Sequence, residues 1–133
     1  MFKVCAIVSS YFPDLVEFGE NIESYLPWVD KLIIWENTPG KESKIYVLTE
    51  KLNSEKIEVR TTGENEFLAK PFNICIQWAK EAGFTHILTM DQDSRFEKGH
   101  FETYLKQITQ LNNDSVAIFA PSTQNPEQKP EPV

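Results

Sequence analysis

An α/β domain with a mostly parallel sheet and helices on both faces is the fold this sequence predicts, from three observations. Short apolar runs alternate with amphipathic segments of helical period, the order that parallel strands joined by crossover helices impose. Within the runs, successive positions are apolar rather than every second one, as in strands covered on both faces. The 133 residues, 41% hydrophobic and 25% charged, have the composition of an ordinary globular domain with one core. The expected organisation is one domain over residues 1–121. The Pro-, Gln- and Glu-rich end, "STQNPEQKPEPV" (122–133), has no core-forming residues and is expected to be disordered.

The elements follow in order. "KVCAIVSS" is a buried strand over 3–9, and "YFPD" turns the chain because Pro13 cannot continue a strand interior. Asp14 is placed to cap a helix, with Glu17 three residues on in the capping-box position. Leu15, Phe18, Ile22, Tyr25 and Leu26 share its apolar face, and Pro27 is expected to end it. "KLIIWEN" is the second strand, "TPGKES" a loop, residues 43–52 a short helix and "KIEVRT" the third strand. After the loop "TGENEF", Pro71 suits the first turn of a third helix and Gly83 its end. The expected buried stripe of that helix is Leu68, Phe72, Ile76 and Ala79. "HILTM" is the fourth strand; Phe101, Tyr104, Leu105, Ile108 and Leu111 mark a fourth helix; "SVAIFAP" (115–121) is a fifth strand.

Composition narrows the function. A net charge of −7 without clustered Lys or Arg argues against nucleic-acid binding. Cys5 and Cys75 lie in apolar segments without a CxxC pairing, which fits buried, reduced thiols. No run approaches the roughly 20 apolar residues of a membrane span, and the N-terminus lacks a signal peptide pattern. A cytoplasmic location is the expectation.

In an open parallel sheet, ligands bind beyond the carboxyl ends of the strands. Ser9, Ser10 and Tyr11 follow the first strand, Glu36 and Asn37 the second, Gly63 and Asn65 the third, and Asp91 and Asp93 the fourth. Two carboxylates at i and i+2 repel each other unless a cation joins them. Hard oxygen ligands select Mg²⁺ or Mn²⁺, which fill their remaining positions with water and phosphate oxygens. A plain reading of Asp91 and Asp93 as turn residues stands beside this one. An EF-hand is excluded, because Arg95 and Phe96 occupy the fifth and sixth positions, where a ligand and a glycine belong. A haloacid-dehalogenase-type phosphatase also carries Asp-X-Asp after a strand. Its pattern usually lies near the start of its domain and continues with Thr or Val, whereas Ser94 and Arg95 follow here.

Four segments together, "VSSYFPD", "IIWENT", "GENEFLAKPFNICI" and "ILTMDQDS", resemble the nucleotide-binding half of GT-A glycosyltransferases of family two over residues 3–121. The last resembles the Asp-Gln-Asp-Ser form of rhamnosyltransferase-like members. The resemblance implies a Rossmann-like fold and transfer of a sugar from a nucleotide-diphosphate donor, with inversion, to the hydroxyl of a saccharide or lipid-linked acceptor. The tetrapeptide points to dTDP-rhamnose, and the wider family to a UDP-sugar. A lipid-linked acceptor would bring the protein to the inner face of the membrane. Ser9, Ser10 and Tyr11 would line the base and ribose site, and Glu36 would contact the base or ribose where the family more often has Asp. Asn65 and Asn73 match polar positions of the third motif, and Phe72 stands where many relatives have Arg, with Lys70 nearby as a substitute. Asp91 would approach the ribose or a metal-bound water, and Asp93 would bind the metal. Asn65 equally suits a turn, Asn73 a bond within its helix, and Trp35 plain packing. In this family the base that activates the acceptor comes from beyond the fifth strand. The chain is therefore expected to be part of a longer enzyme, with a noncatalytic nucleotide-sugar-binding module as the alternative.

Overall fold

The computed structural model describes residues 2–111 and 118–120. Strands β1 (Val4–Ser10), β2 (Lys31–Glu36), β3 (Ile57–Arg60) and β4 (His86–Asp91) form one sheet in the order β3-β2-β1-β4. All three pairings are parallel. Helices α1 (Leu15–Glu23), α2 (Ile45–Leu52), α3 (Ala69–Glu81) and α4 (His100–Leu111) alternate with them. The expected α/β, Rossmann-like class is what the chain adopts.

The alternation of side chains along the central strands sorts the core into two layers. Val4, Ala6, Val8, Leu32 and Ile34 pack with Phe18 and Ile22 of α1, Ile45 and Leu48 of α2 and Phe101 of α4. Cys5, Ile7, Ile33 and Trp35 point the other way, onto Cys75 and Ala79 of α3. The chain steps outward from β1 to β2 to β3, then returns across β1 to reach β4. Right-handed crossovers in opposite directions place their helices on opposite faces, which explains why, among the described residues, α3 alone covers the second face.

Local signals account for the ends of the elements. Asp14 Oδ1 accepts the Val16 and Glu17 amides, both at 3.0 Å, so the expected N-cap is in place. Gly83, at φ +87°, closes α3: its amide donates to Lys80 and that of Phe84 to Ala79, the paired bonds of a Schellman ending.

Four expectations are corrected. Helix α1 ends at Glu23 rather than at Pro27. Ser24 turns its hydroxyl onto the Asn21 carbonyl at 2.6 Å, and Leu26–Trp28, with Pro27 inside, form a separate 3₁₀ turn that still delivers Tyr25 to the core. The buried stripe of α3 is Pro71, Cys75 and Ala79, while Leu68 and Ile76 are exposed. The small Cys75 and Ala79 let the helix sit close over β1 and β2, which leaves Leu68 and Ile76 on its flank. Burial on both faces holds for β1 and β2 only; β3 and β4 are edge strands, and Thr89 is exposed. Of the expected fifth strand, only residues 118–120 are described; they are not in a strand, and Ile118 is exposed. The rest of that strand and the tail lie outside the described residues.

Candidate functional site

The strand order reverses between β1 and β4, so the crevice beyond their carboxyl ends is where an open α/β sheet offers a site. Register places the candidates there in two rows. Ser9 pairs with Trp35 on one side and Asp91 on the other, and Trp35 pairs with Arg60; these four share the α3 face. Ser10 pairs with Glu36 one step further along, on the face of α1 and α2. The candidates thus share one edge of the sheet but divide between its two sides.

On the α1 and α2 side, Glu36 is 1% exposed. Its Oε1 accepts the Ser10 hydroxyl at 3.2 Å and the Thr38 amide at 2.9 Å, and Oε2 accepts the Ser43 hydroxyl at 2.8 Å. A carboxylate offers about four acceptor positions, so one is left beyond these three. Glu36 lines a cleft of about 460 Å³ with Phe12, Pro13, Leu15, Thr38 and Ile45, with Glu42 and Lys44 at its charged margin. Small-molecule sites measure roughly 300–1,000 Å³, with apolar walls and a few fixed polar groups, and this cleft has both features.

On the α3 side, Asn37 is the organising residue. Its amide donates to Ser9 Oγ at 2.9 Å and to the Phe67 carbonyl at 2.7 Å, and its Oδ1 accepts the Glu66 amide at 2.9 Å. Asn65 Oδ1 takes the Phe67 amide at 2.9 Å, which makes it a turn residue in this loop. Asn73 is exposed in the second turn of α3 and has no side-chain hydrogen bond among the described residues. Lys70 pairs with Glu66 at 3.0 Å. That bond, with one from Thr62, holds the Glu66 carboxyl below the usual range.

Asp91 ends β4, and Asp93 stands in the turn that the Ser94 amide closes on the Asp91 carbonyl. Both are exposed, and among the described residues neither carboxylate takes a hydrogen bond or an ion pair. Other acids at the strand ends contrast with them: Asp30 accepts the Val4 amide at 2.8 Å and Glu36 takes three bonds. No group of three or more His, Cys, Asp or Glu side chains with metal-holding geometry occurs among the described residues. Two exposed carboxylates are donors of the kind hard divalent cations take, but by themselves they do not make a closed protein cage.

Gln92, a mere spacer in the sequence, ties this turn to β1. Its Oε1 accepts the Tyr11 amide at 2.7 Å, its Nε2 donates to the Tyr11 carbonyl at 3.3 Å, and its own carbonyl accepts Asn21 Nδ2 at 2.8 Å. The Tyr11 ring is half exposed and meets Phe12 edge to face at 4.8 Å. Phe12 (φ 44°) and Phe67 (φ 62°) are exposed aromatic residues in left-handed backbone, a conformation that costs L-residues roughly 1–2 kcal/mol each. Strain of this kind clusters at functional sites, held by its surroundings. Here the Phe12 amide bonds Thr38 Oγ1 at 2.8 Å and the Phe67 carbonyl takes Asn37. No sequence signal marks Phe12 or Phe67, because positive φ in a phenylalanine is a product of tertiary contacts. Trp35 is buried in the α3 layer, so packing accounts for it.

Comparison with protein-family models and with curated protein sequences finds no match to this chain. The functional reading therefore rests on the residues themselves.

Proposed function

We propose that this chain binds the nucleotide-diphosphate sugar donor of a glycosyltransferase that acts with inversion on an acceptor hydroxyl. The observation that carries the reading is the pair Asp91 and Asp93, whose carboxylates have no partner among the described residues, at the point where the strand order reverses. In this reading, the Glu36 cleft takes the nucleoside. Its apolar walls cover a ring, and the one acceptor position left on Glu36 receives an N–H or O–H. Ser9 lies beside Asp91 in the register, on the α3 side of the same sheet edge. Asp93, with Asp91, would hold Mg²⁺ or Mn²⁺, and the bound ion would offset charge on the departing diphosphate. The donor would be a UDP-sugar or dTDP-rhamnose, and the acceptor a saccharide or lipid-linked hydroxyl. No described residue is assigned the base that deprotonates it.

Isothermal titration of UDP and dTDP, with and without Mn²⁺, tests the reading. Binding should require Mn²⁺ and weaken at least roughly tenfold in Asp93→Ala. Binding indifferent to metal, or no binding of either nucleotide, would overturn it.

A further inference from the structure

The aspartate turn and the Glu36 cleft lie on different sides of the sheet edge, yet one chain of hydrogen bonds joins them. It starts at Gln92, between the two aspartates, whose side-chain amide grips both main-chain polar groups of Tyr11. The next residue, Phe12, donates its amide to Thr38 Oγ1, and Thr38 donates its own amide to Glu36 Oε1. The strained arch Tyr11–Phe12 is thus held from both sides, by Gln92 and by Thr38, and the Phe12 ring is a wall of the cleft. At its root, the Gln92 carbonyl is fixed by Asn21, which is 1% exposed and whose Oδ1 has no partner among the described residues.

We infer that Gln92 is a positioning residue that couples the two halves of the site, setting the Tyr11–Phe12 arch, and with it the nucleoside cleft, from the turn that carries Asp91 and Asp93. The role in binding rests on the donor-binding reading above; the role in holding the arch does not. Side-chain chemistry explains why glutamine stands here. A planar amide presents one acceptor and one donor, which match the N–H and C=O of a single residue. Glutamate would only accept and would add a third negative charge beside the aspartates; methionine, of similar length, can do neither.

Three measurements on the full chain test the inference. In Gln92→Met, hydrogen exchange at the Tyr11 and Phe12 amides should quicken by roughly tenfold, the loss of about one hydrogen bond, while the melting temperature stays within about 4 °C. UDP affinity in Mn²⁺ should fall by a similar factor. Thr38→Val cuts the same chain at a later link, so the double variant Gln92→Met/Thr38→Val should lose clearly less than the product of the two single losses. Should Gln92→Met fail to fold, Gln92→Glu takes its place: it keeps the acceptor for the Tyr11 amide, so exchange there stays slow while UDP affinity still falls. Unchanged exchange at Tyr11 and Phe12 in Gln92→Met, undiminished UDP affinity in Gln92→Glu, or fully multiplicative losses in the double variant would sink the coupling. If the wild-type chain binds neither UDP nor dTDP, the donor-binding reading fails alone. The exchange rates, with the double-variant comparison read on the Phe12 amide, then decide the role of Gln92.

Discussion

Glu36 shows how far a single side chain can be read before the fold is known. Its place after a strand marked it as a candidate, but its surroundings did not follow from that place: three donors from Ser10, Thr38 and Ser43 enclose it. Those bonds stabilise a buried carboxylate that would otherwise be costly to desolvate. Ser43→Ala should therefore lower stability by about 1 kcal/mol in urea denaturation, less than a sealed site would show because the cleft admits water. A loss near zero would mean that the hydroxyl adds nothing to holding Glu36. Asp14 is the opposite case. Its capping bonds reach only two and three residues along the chain, so the local sequence was enough to read them.

Helix α3 divides in the same way. Its start near Pro71 and its end at Gly83 were legible, because both depend on backbone conformations that few residue types adopt. Nothing else lies close to Gly83, so an added methyl would meet only the cost of a left-handed backbone. Gly83→Ala should shift the urea midpoint by about 1 kcal/mol of stability, with Gly83→Asn costing less. Which face of α3 is buried was legible only in part. Period marks an apolar stripe at Leu68, Phe72, Ile76 and Ala79; Ala79 is buried and Phe72 packs at the edge of the α3 layer. Among the described residues α3 is the sole helix on its side of the sheet, and it settles where the small Cys75 and Ala79 let it approach, which leaves Leu68 and Ile76 exposed. The path of the chain after Glu23 was misread for a related reason, since Ser24 ends α1 through its own side chain.

His86 and Glu66 each make the assembled chain sensitive to acid. His86 meets Phe2 in a tilted contact, ring centroids 4.2 Å apart, and partial burial holds its ring below the usual histidine value. The unfolded chain then binds the proton first, so stability should decline as pH falls below about 6.5. Glu66, lowered by Lys70 and Thr62, adds a second decline below about 4.5, where the unfolded carboxyl takes up its proton first. Urea titrations across pH 3–8 should show both slopes, and His86→Gln should flatten the upper one. A stability that rises on acidification through either window would contradict these assignments. Burial also lifts the Cys5 thiol to about 11, with Cys75 adding to the shift, and both thiols are free and inside the α3 layer.

Strand and helix alternation, the parallel sheet, the caps at Asp14 and Gly83 and the place of Asp91, Asp93 and Glu36 at strand ends all follow from the order of residues. Each depends on neighbours within a few positions or on a connection rule that parallel sheets obey. Tertiary contacts alone decided that Ser10 and Glu36 face α1 and α2 while Ser9 and Asp91 face α3. They also bound Gln92 to Tyr11, 81 positions away, and strained Phe12 and Phe67. The reason is physical: period two assigns side chains to alternate faces, but only the packed crossovers say which helix each face meets and which distant main chain a spacer residue reaches.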